Sequence, residues 1–181
     1  MTPEEAWRIL EGAELLCDEA RVRDEIARLA DEITAKLKAS NPLVLAVMGG
    51  SVFFAGNLLP RLRFPLEFDC VFTSRYGKST SGGKFAWKVE PGDNVKGRTV
   101  LVLDDILDGG ETLAAIRDRV KQMGPAAFFS AVLTDKDLGR AKPIVPDFIG
   151  LKLPNRYVFG CGMDVSGAWR NLPAIYAVKG A

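Results

Sequence analysis

Histidine is absent from the 181 residues, which removes Ser-His-Asp and Cys-His triads together with every histidine-built metal site. Any chemistry must run on carboxylates, lysines, backbone amides or an oxygen-bound metal. Cysteine is sparse: Cys17, Cys70 and Cys161 are far apart and form no C-x-x-C pair. Zinc and dithiol chemistry are therefore disfavoured, and buried free thiols in a reducing compartment are expected. No apolar run approaches the ~20 residues that span a bilayer, and the opening MTPEEAW is acidic where a signal peptide is basic. A cytoplasmic protein without a membrane partner is expected. An excess of one charge is missing too, since 24 basic side chains face 23 acidic ones. Nucleic acid is thus not an expected partner.

What remains is a chain with 48% hydrophobic residues, enough for one well-cored domain. Thr2, Pro3 and Glu5 are placed as the N-cap, first-turn proline and N3 glutamate of a capping box, so a short amphipathic helix opens the chain and ends near Gly12. After Asp18, the apolar residues Val22, Ile26, Leu29, Ile33 and Leu37 recur every three or four positions and predict a long surface helix, broken at Asn41-Pro42. From Leu43 onward, short apolar runs at 43–48, 66–73, 99–103 and 127–134 read as buried strands, with crossover helices over 52–63 and 112–123. That alternation implies a parallel sheet with helices on its faces and a ligand beyond the strand tips. The tips after Met48, Leu103 and Thr134 should share one crevice. The glycine-rich stretch 74–84 is an ordinary hairpin loop or a lid, and the tail 148–178 should form a small β-rich hood.

Chemistry concentrates in VLVLDDILDGGET, residues 100–112. A buried strand runs into Asp104-Asp105, and two carboxylates at a strand end can accept from sugar hydroxyls or bind magnesium through water. A solvated acidic turn would carry the same pair. Asp108-Gly109-Gly110-Glu111-Thr112 then leads into a helix, so converging amides, the helix dipole and the Thr112 hydroxyl make a phosphate nest. Together these features describe a site for a ribose and its 5-phosphate.

This pattern resembles the phosphoribosyl-pyrophosphate motif of type I phosphoribosyltransferases, specifically the hypoxanthine-guanine phosphoribosyltransferases, from about Leu43 to the C-terminus. The resemblance implies an α/β fold, a central mainly parallel sheet flanked by helices, in a single domain 1–181. The core would span about 43–147, and a hood about 1–17 and 148–181. It implies that Asp104 and Asp105 engage the ribose, that Asp108 is the general base near N7 of the purine, and that Gly109, Gly110, Glu111 and Thr112 hold the 5-phosphate. Glu111 is awkward there, because a carboxylate repels phosphate unless it turns outward.

By the same resemblance, LAVMGG at 45–50 is the pyrophosphate loop, with contacts from Met48 and Gly49. Many members have a lysine in place of Met48. Some have a non-proline cis peptide, which would here fall at Val47-Met48. Arg75 and Tyr76 match the lid's usual Ser-Tyr pair, whereas a Walker A motif is rejected because position 72 is Phe72 and not glycine. Lys136, by itself a plausible solvated lysine, would donate to the purine 6-oxygen. Tyr157, by itself a plausible core aromatic, would stack on the base, and Val158 would meet its edge. Asp164 would lie by the base and join Asp104 and Asp105 in holding magnesium (Mg2+), while Arg170 would contact pyrophosphate. Cys161 and Trp169 are assigned to packing.

The activity implied is magnesium-dependent transfer from phosphoribosyl pyrophosphate to hypoxanthine, guanine or xanthine, within a homodimer or homotetramer. Two alternatives stay open: a nucleic-acid-binding regulator of the same fold, and a phosphoribosyltransferase for another base such as orotate or uracil. Near-neutral charge argues against the first, and Lys136 with Tyr157 against the second.

Overall fold

The computed structural model describes residues 1–75 and 85–180. Helix α1 (Pro3–Gly12) begins with both arms of the capping box: Glu5 N donates to Thr2 Oγ1 at 3.2 Å, and Thr2 N to Glu5 Oε2 at 2.7 Å. A strand the sequence did not announce, β1 (Glu14–Cys17), follows. Asp18 caps α2 (Glu19–Leu37), its carboxylate accepting from Arg21 N at 2.8 Å. The stripe Val22, Ile26, Leu29, Ile33 and Leu37 is buried along its length.

Strand β2 (Leu43–Met48) has the expected limits. Val44 and Ala46 enter the core under α2, whereas Leu43, Leu45 and Val47 enter the core on the other face. Burial on both faces is why the strand reads as a continuous apolar run. Helix α3 (Val52–Leu58) is shorter than expected and tightens into a 3-10 turn, Leu59–Arg61. Pro60 has no N–H to donate and its ring crowds the preceding turn. The sheet is completed by β3 (Glu67–Arg75), β4 (Phe85–Val89), β5 (Thr99–Leu107), β6 (Ala127–Lys136) and β7 (Phe148–Leu153), with α4 (Glu111–Gln122) crossing between β5 and β6. Its order is β4-β3-β2-β5-β6-β7, parallel throughout except for β4, an antiparallel edge on β3.

Two strands run past their expected ends. Asp104, Ile106 and Leu107 of β5 stay paired with Val132, Thr134 and Asp135 of β6, and Thr134 Oγ1 donates to Asp105 O at 3.0 Å. Two adjacent charges suggested a turn, but a neighbouring strand that satisfies the backbone outweighs them. The hood is also smaller than expected. Phe148–Leu153 joins the main sheet beside β6, because Phe148, Leu151 and Leu153 bury themselves in the core that α2 covers. The hood proper is an antiparallel sheet, β1-β9-β8, adding β8 (Val158–Phe159) and β9 (Ile175–Ala177). Among the described residues, no helix is long and apolar enough to cross a membrane.

Candidate active site

The tips of β2 and β5 meet at a cavity of about 530 Å³ lined by Met48, Gly49, Gly50, Asp104, Asp105 and the turn 108–110, with Thr112 and Arg170 at its margin. The turn into α4 works because Gly110, at the helix N-cap, sits at φ +88°, a left-handed conformation that glycine adopts without a Cβ penalty. No side chain caps the helix at Gly110, and the helix dipole favours an anion there. Glu111 does not line the cavity. Its carboxylate folds over Gly109, where an added Cβ would lie 2.2 Å from Glu111 Oε2.

Asp104 and Asp105 are only 7% and 8% exposed. Burial, then the Asp105 charge, pushes the Asp104 carboxyl well above the usual carboxylate range. Burial also raises Asp105, opposed by its hydrogen bond with Asp104 and by the Arg170 guanidinium. Local amides help, since Asp105 N donates to Asp104 Oδ1 at 3.1 Å and Ile106 N to Asp105 Oδ1 at 3.0 Å.

A raised folded-state pKa means that the folded chain holds this proton more tightly than the unfolded chain. The associated stability is present below the ordinary value of 3.8 and is lost as pH rises toward the folded value. Asp104→Asn, neutral and of equal size, should therefore melt higher than the parent at pH 7 in the ligand-free, magnesium-free protein. An expected gain of about 1–2 kcal/mol corresponds to roughly 2–8 °C. The difference should shrink toward pH 4 in calorimetric scans, while activity falls. A lower melting temperature for the variant at pH 7 would contradict the assigned cost of burying this carboxylate.

The loop after β2 is wedged from two sides. A Cβ on Gly50 would lie 2.1 Å from Asp105 Oδ2, and a Cβ on Gly162 would lie 1.9 Å from Gly50 O. The cis peptide is at Met48-Gly49, one bond later than expected. Ser51, fully buried, pins the loop by donating from Oγ to Val47 O at 2.6 Å.

A second cavity, of about 210 Å³, adjoins the first through Asp105, Asp108 and Arg170. Lys136 and Tyr157 also line it, together with Val158, Met163 and Asp164. Lys136 Nζ donates to Asp108 Oδ2 at 3.1 Å, the lysine side chain 11% exposed and the aspartate 58%. Tyr157 is half-exposed at the cavity edge, whereas Val158 is buried in the hood.

Arg170 forms an ion pair with Asp164 and donates from Nη1 to Gly162 O at 2.6 Å, while Gly167 N donates to Asp164 Oδ2 at 2.7 Å. Asp164 is thus engaged by Arg170 and its own turn. Among the described residues no cluster of three or more Asp, Glu, Cys or His forms, so the expected magnesium set of Asp104, Asp105 and Asp164 is not assembled. The adjacent buried pair, hard oxygen donors facing a cavity, does suit a magnesium ion that brings further oxygens with it. For the lid, Tyr76 lies outside the described residues, and so does the side chain of Arg75. Cys161 is buried, with burial pushing its thiol up to about 12, which fits a packing role.

Sequence reasoning missed Lys142. Its Nζ donates to Leu107 O at 2.7 Å, Asp135 Oδ1 at 2.7 Å and Lys136 O at 2.5 Å, tying the ends of β5 and β6 that carry Asp108 and Lys136. An irregular segment gives such a lysine no periodicity to betray it.

Residues 14–166 match the phosphoribosyl transferase domain. The chain is 35% identical over 166 residues to a hypoxanthine-guanine-xanthine phosphoribosyltransferase of Tritrichomonas foetus, covering 91% of each chain. It is 33% identical to a hypoxanthine-guanine phosphoribosyltransferase of Lactococcus lactis, covering 91% of this chain and 90% of that one. Among solved structures, a hypoxanthine phosphoribosyltransferase from Trypanosoma cruzi aligns with a TM-score of 0.86 at 31% identity, over 94% of this chain and 97% of the other. With the acidic pair, the nest and the lysine-aspartate pair at one strand edge, the chain belongs to the phosphoribosyl transferase family, among its hypoxanthine-guanine phosphoribosyltransferases.

Proposed function

We propose that this chain transfers the 5-phosphoribosyl group of phosphoribosyl pyrophosphate to N9 of a 6-oxopurine, forming a nucleoside monophosphate and pyrophosphate. The observation that carries this reading is the Lys136 Nζ–Asp108 Oδ2 pair, 3.1 Å long, at the cavity edged by Tyr157. A 6-oxopurine protonated at N7 offers an acceptor and a donor side by side. Lys136 then donates to O6 while the Asp108 carboxylate accepts from N7. Adenine presents an amino donor to a lysine donor, and the unmet pair rejects it.

As N9 bonds to C1′, the bond from C1′ to pyrophosphate breaks and its electron pair leaves with pyrophosphate. The N7 proton passes to the Asp108 carboxylate. The carbon becomes oxocarbenium-like, and the carboxylates of Asp104 and Asp105, beside the ribose hydroxyls, favour that positive charge. The amides of 109–112 and the Thr112 hydroxyl hold the 5-phosphate, and the loop at Met48-Gly49 with Arg170 receives pyrophosphate. Asp104 and Asp105 would hold magnesium, which would supply positive charge to neutralise the departing pyrophosphate.

Incubation with phosphoribosyl pyrophosphate, magnesium and a panel of bases tests the assignment; nucleotide formed from orotate, uracil or adenine but from no 6-oxopurine would overturn it. Lys136→Met should lower kcat/KM for hypoxanthine about a hundredfold and shrink the preference over adenine by a similar factor. The comparison of kcat/KM for both bases checks this.

The protein further reads as cytoplasmic, its cysteines all free, and as a homodimer or homotetramer. Val52 at 52%, Phe68 at 51% and Val89 at 44% exposure supply apolar surface for a second copy. Sedimentation of the purified protein measures the assembly.

A further inference from the structure

We infer that the N-terminal helix positions Arg170 through a contact between two tryptophans, which makes Trp7 and Trp169 positioning residues for the pyrophosphate side of the site. This rests on the reading of Arg170 as a pyrophosphate contact. Helix α1 buries none of its residues, yet it is fastened to the turn that ends in Arg170. Trp169 Nε1 donates to Ala6 O at 2.9 Å, and the Trp7 and Trp169 rings meet edge to face with centroids 5.0 Å apart at 70°. That geometry is the favoured one for aromatic pairs.

Trp169 needs such an anchor. Its φ is +72°, a left-handed conformation that a bulky residue keeps only where its surroundings over-determine it. The turn before it is self-contained, with Gly167 N bonded to Asp164 Oδ2 at 2.7 Å and Ala168 N to Val165 O at 3.1 Å. These bonds and the Arg170–Asp164 ion pair shape the turn, and the docked indole holds Trp169 in its left-handed conformation.

The next residue carries the consequence. Arg170 O accepts from Gly162 N at 2.9 Å, its Nη1 donates to Gly162 O at 2.6 Å, and its charge acts on Asp105. Gly162 in turn lies against Gly50 O of the pyrophosphate loop. A continuous path thus runs from an exposed helix through Trp169 and Arg170 to the leaving-group loop. When Trp7 is lost, Trp169 keeps only its hydrogen bond to Ala6 O, its left-handed conformation loosens and Arg170 shifts with it.

Trp7 is 57% exposed, so Trp7→Ala removes the contact without opening a core. The experiment measures KM for phosphoribosyl pyrophosphate and for hypoxanthine, kcat and melting temperature in the parent, Trp7→Ala, Trp7→Phe, Arg170→Ala and the Trp7→Ala/Arg170→Ala double variant. Trp7→Ala should raise the donor KM about tenfold, leave the hypoxanthine KM within about twofold and shift the melting temperature by less than about 2 °C. Trp7→Phe, which keeps an aromatic edge, should recover most of the loss. In the Arg170→Ala background, Trp7→Ala should add nothing. If Arg170→Ala raises the donor KM and Trp7→Ala does not, the inference fails while the reading of Arg170 stands. A parallel rise in both KM values with a lower melting temperature would make the contact merely structural and also overturn it. An unchanged donor KM in Arg170→Ala would remove the reading beneath it.

Discussion

Asp108→Asn is expected to lower the rate of nucleotide formation by about a hundredfold or more, the usual contribution of a positioned general base, with little change in donor affinity or folding. Asparagine keeps an oxygen that can accept from Lys136 Nζ, now 3.1 Å from the aspartate, so the lysine stays in place. What disappears is the charge and the basicity that the proposed transfer of the N7 proton requires. Because the Asp108 side chain is 58% exposed, its ion pair contributes at most about 1 kcal/mol to stability, and the melting temperature should barely move. Release of product limits turnover in many enzymes and then hides a slower chemical step. The deciding measurement is therefore a single-turnover experiment with enzyme in excess over phosphoribosyl pyrophosphate. An unchanged single-turnover rate would take the base role away from Asp108.

The parts of this molecule legible in its sequence are those where one physical signal dominates. Strand β2 reads to the residue because both its faces are buried, and α2 because its 3–4 stripe and Asp18 cap agree. The acidic pair and the glycine turn read as a sugar-phosphate site because few other uses call for that order of residues. Where long-range pairing decides, the sequence is silent. Strand β5 continues through Asp104-Asp105 because β6 lies beside it, and β1 is a short strand whose partner, β9, is distant in sequence. Phe148–Leu153 has the same alternation of apolar runs as the hood, and only its packing under α2 assigns it to the main sheet. Lys142 and Trp169 illustrate the other limit: each acts through carbonyls or rings brought close by the fold, and neither belongs to a motif.

Gly50→Ala should be as damaging as loss of the base, for steric reasons that Gly49→Ala does not share. An added Cβ at Gly50 would sit 2.1 Å from Asp105 Oδ2, 2.5 Å from its Cγ and 2.7 Å from its Oδ1, whereas at Gly49 nothing lies within 4 Å. Neither wall can yield cheaply. Asp105 is short and buried, and its Oδ1 is held by Ile106 N at 3.0 Å. Behind Gly50, its carbonyl oxygen already touches Gly162, where a Cβ would be 1.9 Å away. The methyl must therefore displace the loop, the Asp105 carboxylate or both. Overpacking of this kind costs about 1–3 kcal/mol of stability, and an ångström of misplacement at a reacting centre costs on the order of a hundredfold in rate. Gly50→Ala is expected to lose at least about a hundredfold in kcat/KM for phosphoribosyl pyrophosphate and several degrees in melting temperature. Gly49→Ala should keep the parent's stability within about 0.5 kcal/mol. Paired kinetics and calorimetry on the two variants separate the wedge from a general sensitivity of the loop: equal losses in both would show that Asp105 does not depend on the missing Cβ at position 50.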